Sequence, residues 1–100
     1  MVSIADTRSD AEAVRLLQLA AEKHRFAPAE NHLGAMYFAG RGVPKDLVTA
    51  YMWISLAADS GVQPAQKLLP TVSQSLTAEQ IADAKLKAQK WKSPPGIEAR

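Results

Sequence analysis

Apolar residues recur along this chain at helical spacing, in blocks separated by short polar or glycine- and proline-containing joints. Over 10–24, Val14, Leu17 and Ala21 share one stripe, with Leu16 and Ala20 beside it, as the 3.6-residue period of an amphipathic helix requires. Ser9 and Glu12 fit a capping box at its start. A second helix is predicted over 28–39. Pro28 suits the first helical position, and Leu33 and Tyr37 lie four apart on one face. Gly34 sits beside that face, and a mid-helix glycine costs roughly 1 kcal/mol against alanine. Close approach of another helix would account for it.

A third helix is predicted over 47–60. Its middle, Ala50 to Ala58, is apolar nearly all round. Such a helix is buried on more than one side, with Trp53 as its largest anchor. The run falls short of the roughly 20 apolar residues a bilayer span needs. Between the second and third helices stand Gly40-Arg41-Gly42, Pro44 and Asp46. Gly40 ends one helix in the left-handed conformation, Pro44 prevents its continuation, and Asp46 caps the next. Gly61 closes the third helix.

The pattern then weakens. Ala65, Leu68, Leu69 and Val72 predict a helix over 63–73, but Pro70 lies inside it and is expected to kink or end it. Thr77 and Gln80 form a second capping box. Ile81, Ala84, Ala88 and Trp91 make one stripe of a final helix, expected to close the stack with Trp91 over its open end. Residues 1–8 show no period and are expected to be an arm. Pro94-Pro95-Gly96 cannot continue a helix, so 93–100 is expected to be a disordered tail.

The first predicted helix is a copy of the third. Leu19-Ala20-Ala21 repeats as Leu56-Ala57-Ala58 at an offset of 37, and Leu16 stands where Trp53 stands. Pro28-Ala29 repeats as Pro64-Ala65 at an offset of 36. A period of 36 to 37 belongs to stacked helical repeats. The organisation is then a half repeat at 9–27, a full repeat at 28–61, and an aberrant repeat with a capping helix at 62–92. The first copy lacks its own first helix, so one face of the 10–24 helix has no partner unless the preceding residues fold over it.

Ala29, Leu33, Gly34, Tyr37, Gly40, Gly42, Val43, Asp46, Ala50, Trp53, Ala57, Ala58 and Gly61 together resemble the Sel-1-like repeat, a relative of the tetratricopeptide repeat. The half repeat departs from that pattern at Leu16, where tryptophan is expected, and at His24, where glycine is expected. The resemblance implies an all-α, right-handed superhelix of about five antiparallel helices. It also implies an adaptor role in protein complexes, often in bacteria. In tetratricopeptide proteins the first helix of each repeat lines a concave groove. Carried to this chain, the groove positions are Asn31, Ala35 and Phe38, and in the aberrant repeat Lys67, Thr71 and Gln74; Phe38 is either an exposed aromatic anchor for a partner or a packing contact with the neighbouring repeat.

Composition narrows the chemistry. The 100 residues carry a net charge of +2, and no cysteine is present. Disulfide frameworks, thiolate zinc sites and cysteine nucleophiles are therefore out of reach. Two excess charges make a weak field despite the nominal pI of 9.1, so nucleic acid is not an expected partner. Lys85, Lys87, Lys90 and Lys92 read as a solvated helix face. His24 and His32 match no metal spacing, and no serine sits in a nucleophile elbow. Gly40-Arg41-Gly42 is too short for a phosphate loop. No catalytic residue, metal or cofactor is expected. The N-terminus does not read as a secretory leader and no transmembrane stretch is present, which for a complete chain points to the cytoplasm.

The function expected is a non-catalytic module that binds a protein or peptide in its groove. The alternative is self-association through the unpartnered first helix, at Val14 and Leu16, as a homodimer or assembly element, with a small enzyme a distant third.

Overall fold

The computed structural model describes residues 4–92, with side chains described from Ser9 onward. The expected disordered tail and the first three residues of the expected arm lie outside that range. Five helices follow one another: α1 (Ile4–His24), α2 (Ala27–Ala39), α3 (Leu47–Asp59), α4 (Gln63–Gln74) and α5 (Ala78–Lys92). No strand occurs among the described residues.

Neighbouring helices pack in sequence, α1 on α2, α2 on α3 and α3 on α4. The centre is α3. Trp53 and Leu56 join one core cluster with Val14, Ala21, Leu33 and Met36. Ala50, Tyr51, Ile54 and Ala57 join a second cluster with Ala65, Val72 and Ala84. A helix apolar on nearly every side thus finds a partner on nearly every side.

Gly34 lies where α2 crosses α3. A Cβ there would meet Ile54 Cγ1 at 2.5 Å and the Ala50 carbonyl oxygen at 3.1 Å. Ile54 is fully buried, so neither atom can yield without parting the helices. Gly34→Ala gains helix propensity of about 1 kcal/mol but overpacks the crossing. Because the Ile54 contact is so short, the overpacking cost lies at the upper end of the usual range, about 3 kcal/mol, and the net expectation is a loss of about 2 kcal/mol in urea denaturation. An unchanged midpoint would show that the crossing is not close-packed.

The turn beyond is built as the residue types dictate. Gly40 caps α2 with φ 72°, donating its N–H to the Met36 carbonyl at 2.7 Å. Asp46 caps α3, accepting from the Thr49 N–H at 3.1 Å and the Thr49 hydroxyl at 2.8 Å. Burial pushes the Asp46 carboxyl upward, but the bonds from Thr49 outweigh it and hold the group below the ordinary carboxylate range. The Thr77–Gln80 capping box closes reciprocally, at 2.9 and 3.1 Å.

Four expectations need correction. First, α1 begins at Ile4, so Ser9 lies inside the helix and caps nothing, and 4–8 are helical. No glycine or proline interrupts that stretch, and a cap is worth only about 1 kcal/mol. Second, the left-handed residue after α1 is Arg25, φ 50°, and not His24. Phe26 and Val62 are the equivalent extended N-caps of α2 and α4. His24 is therefore the inserted residue that changes the offset. Third, Pro70 does not end α4, which passes through it to Gln74. Pro70 and Gln66, whose carbonyl loses its donor, are both exposed, so water can satisfy that carbonyl.

Fourth, α5 does not close the open end. Its main neighbour is α3, and not the α4 it follows. Ala84 and Ala88 are small enough to let it lie close. Trp91 is carried back to Trp53, with ring centroids 5.3 Å apart and planes at 72°, an edge-to-face pairing.

Candidate functional site

The groove residues expected from sequence occupy the outward stripes of α2 and α4. On α2 the buried side is Ala29, Glu30, Leu33, Gly34 and Met36. Asn31, Ala35 and Phe38 fall on the other side, each half-buried. On α4 the buried residues are Ala65 and Val72. Lys67, Thr71 and Gln74 are fully exposed. The two helices touch one another. Only Lys67 among the six is charged.

Phe38 is not a free aromatic knob. It packs against the cluster of Ala50, Tyr51, Ile54 and Ala57, so part of its ring is committed to the core. Asn31 has its Oδ1 enclosed and without a hydrogen-bond partner. α5 lies chiefly against α3, and Lys67, Thr71 and Gln74 of α4 stay exposed.

The self-association residues separate. Val14 is buried at 4% exposure in the core beneath α1, whereas Leu16 is 62% exposed. Val14 is thus corrected from a surface residue to a core one: its Cγ2 would meet a Cβ at Gly42 at 2.9 Å. Leu19, 48% exposed, joins Leu16 on the outer face.

A cleft of about 380 Å³ lies between α3, α4 and α5, lined by Tyr51, Ser55, Asp59, Leu69, Lys85 and Lys92 among others. Lys92 Nζ and Asp59 Oδ2 pair across it at 2.7 Å. Ser55 donates its hydroxyl to the Met52 carbonyl at 3.0 Å, a bond within its own helix. His24 and His32 are both exposed. Among the described residues no group of three His, Cys, Asp or Glu side chains is placed to hold a metal ion. No described helix is long and apolar enough to cross a membrane.

One charged constellation was not read from the sequence. Glu30 is 4% exposed. Arg25, held in its left-handed conformation, lays its guanidinium 4.8 Å from the centre of the Trp91 ring. Burial raises the Glu30 carboxyl above its ordinary range, and the Arg25 charge and the Trp91 indole N–H lower it without cancelling that rise. The indole N–H is near enough to favour the carboxylate, yet it makes no hydrogen bond of good geometry. The available signal was the phase of Glu30, three residues before Leu33 and so beside the buried stripe.

The pH consequence has a definite sign. A carboxyl raised in the folded state stabilises the fold fully below its unfolded value, ordinarily 4.5. That contribution is lost as pH rises through the folded value. Glu30→Gln keeps the shape without the charge. It should be more stable than the parent near neutral pH, with the difference closing below about pH 4.5. Denaturation at the two pH values reads this directly. A less stable Gln variant at neutral pH would mean that the attraction to Arg25 dominates.

Comparison with known proteins adds a family. The family model for the Sel1 repeat matches residues 6–24 and 27–62. No curated protein and no solved structure matches the chain.

Proposed function

Because the chain belongs to the Sel1 repeat family, we propose that it is a non-catalytic scaffold that binds a protein or peptide across the outward stripes of α2 and α4. The family is typically one of protein-interaction scaffolds, is generally not catalytic, and implies a superhelix like that of the tetratricopeptide repeat. In this reading 9–27 is a half repeat and 28–61 a full one. Residues 62–92, which lie beyond the matched segment, are an aberrant repeat with an added helix.

The observation that carries the proposal is the contact between α2 and α4. That contact supports the reading in which Asn31, Ala35 and Phe38 and the exposed Lys67, Thr71 and Gln74 line one groove. A nearly neutral strip with one half-exposed aromatic suits an apolar or amide-rich peptide segment.

The test is selection of binding peptides from a random library on the whole chain, followed by nuclear magnetic resonance mapping of the tightest. Shift changes should centre on α2 and α4. Ala35→Arg and Thr71→Arg should each weaken binding about tenfold, or 1.4 kcal/mol, and Phe38→Ala by a similar factor. Shift changes centred on the cleft between α3, α4 and α5, with these variants binding normally, would overturn the proposal.

A further inference from the structure

The outer face of α1 carries a second, independent surface. α1 is the repeat equivalent of α3, and Leu16 and Leu19 stand where Trp53 and Leu56 stand. In α3 those two residues are 5% and 4% exposed, in the cluster that holds Leu33 and Met36 of α2. In α1 they are 62% and 48% exposed. The face that meets a partner helix in the full repeat is therefore bare in the half repeat.

The charges around it indicate what fits. Glu12, Leu16, Leu19 and Lys23 lie four, three and four residues apart, which keeps them on one stripe of a helix. The leucines sit at the middle, with an acid toward one end and a base toward the other. Arg15 and Glu22 border the same side of the stripe. Glu12, Arg15, Glu22 and Lys23 are all exposed. The single contact among them, Arg15 to Glu12 at 3.9 Å, is long and solvated and therefore weak.

We propose that this face binds a second copy of the chain, with the two α1 helices antiparallel about a two-fold axis between Leu16 and Leu19. That axis sets Leu16 of each copy on Leu19 of the other. It also sets Glu12 against Lys23 and Arg15 against Glu22, twice each by symmetry. Every charge bordering the leucines then meets its opposite, as in an antiparallel helix pair with charged flanks. A parallel pairing would set Glu12 on Glu12 and Lys23 on Lys23. The contact is one helix wide and smaller than a standard interface of roughly 1,600 Å², so the dimer is weak and forms at high protein concentration.

Sedimentation equilibrium over a wide concentration range tests this with the whole chain. The parent protein should dimerise, and Leu16→Asp should abolish the dimer. Leu16 faces solvent, so the helical circular dichroism of that variant should be unchanged. Glu12→Lys alone and Lys23→Glu alone should each raise the dissociation constant about tenfold, since each sets like charges together. The double variant Glu12→Lys/Lys23→Glu should restore it. A parent that stays monomeric throughout, a dimer that survives Leu16→Asp, or a double variant as weak as the singles would each overturn the proposal.

Discussion

Gly42→Ala should cost about 3 kcal/mol and release α1 from the rest of the molecule. Two effects combine. Gly42 has φ 76°, and a non-glycine residue held there costs about 1 kcal/mol. A Cβ at this position would also meet the Asp10 carbonyl oxygen at 2.5 Å and its carbon at 2.7 Å. These are backbone atoms of α1, so the helix must move away, and overpacking of this kind costs a further 1–3 kcal/mol or so. As it moves, Val14 leaves the core, and Asp10 loses the Arg41 guanidinium, which donates to it at 3.0 and 3.3 Å. Urea denaturation gives the magnitude. Amide hydrogen exchange gives the location: protection should fall first in α1. An alanine variant within 0.5 kcal/mol of the parent, about the scatter of neutral surface substitutions, would show that α1 does not seat against this turn.

Trp91→Ala should destabilise by about 3 kcal/mol, the lower end for removal of a large aromatic, because Trp91 is half-buried. The loss has three parts. The edge-to-face contact with Trp53 disappears. Arg25 keeps its left-handed backbone but loses the ring beneath its guanidinium. Water reaches Glu30, which relieves that carboxyl and offsets a little of the loss. Trp91→Phe keeps an aromatic edge against Trp53 and should recover more than half of the stability. Thermal and urea denaturation of both variants check this. A loss below about 1 kcal/mol for the alanine variant would place α5 outside the cooperative core.

How much of this could be read beforehand depends on distance along the chain. The hairpin of α2 and α3 was legible because its determinants are local: Gly40 four residues from its acceptor, Asp46 three from Thr49, Gly34 set against Leu33. The Thr77–Gln80 box is local in the same sense. The start of α1 was misread because a capping signal is a small preference, and a helix with no breaker upstream can run through it. Val14 and Leu16 are two residues apart and so point to nearly opposite faces of α1; both are apolar, and the pattern within the helix does not say which face a turn 28 residues further on will meet. The groove residues come from the family resemblance and remain a proposal. The packing of Phe38 is one of two readings that the sequence leaves open, since the choice depends on how α3 and α4 pack beneath it. The destination of Trp91 is the extreme case. Its neighbours Arg25, Glu30 and Trp53 are all at least 38 positions away, and no pattern within α5 points to them.

The return of α5 also changes how this molecule comes apart. In an array where each repeat touches only its neighbours, stability is close to a sum of local parts, and ends can melt while the middle persists. Here the last helix is fastened to the junction of the first two. Opening α1 or α2 removes the seat of Trp91, and undocking α5 uncovers α3. The consequence is that loosening α1 should also loosen α5, so the two ends melt as a coupled pair in a fold whose family would permit independent fraying. It also implies slower folding than local helix pairing alone would give, because α5 can dock only after α1, α2 and α3 have assembled its site.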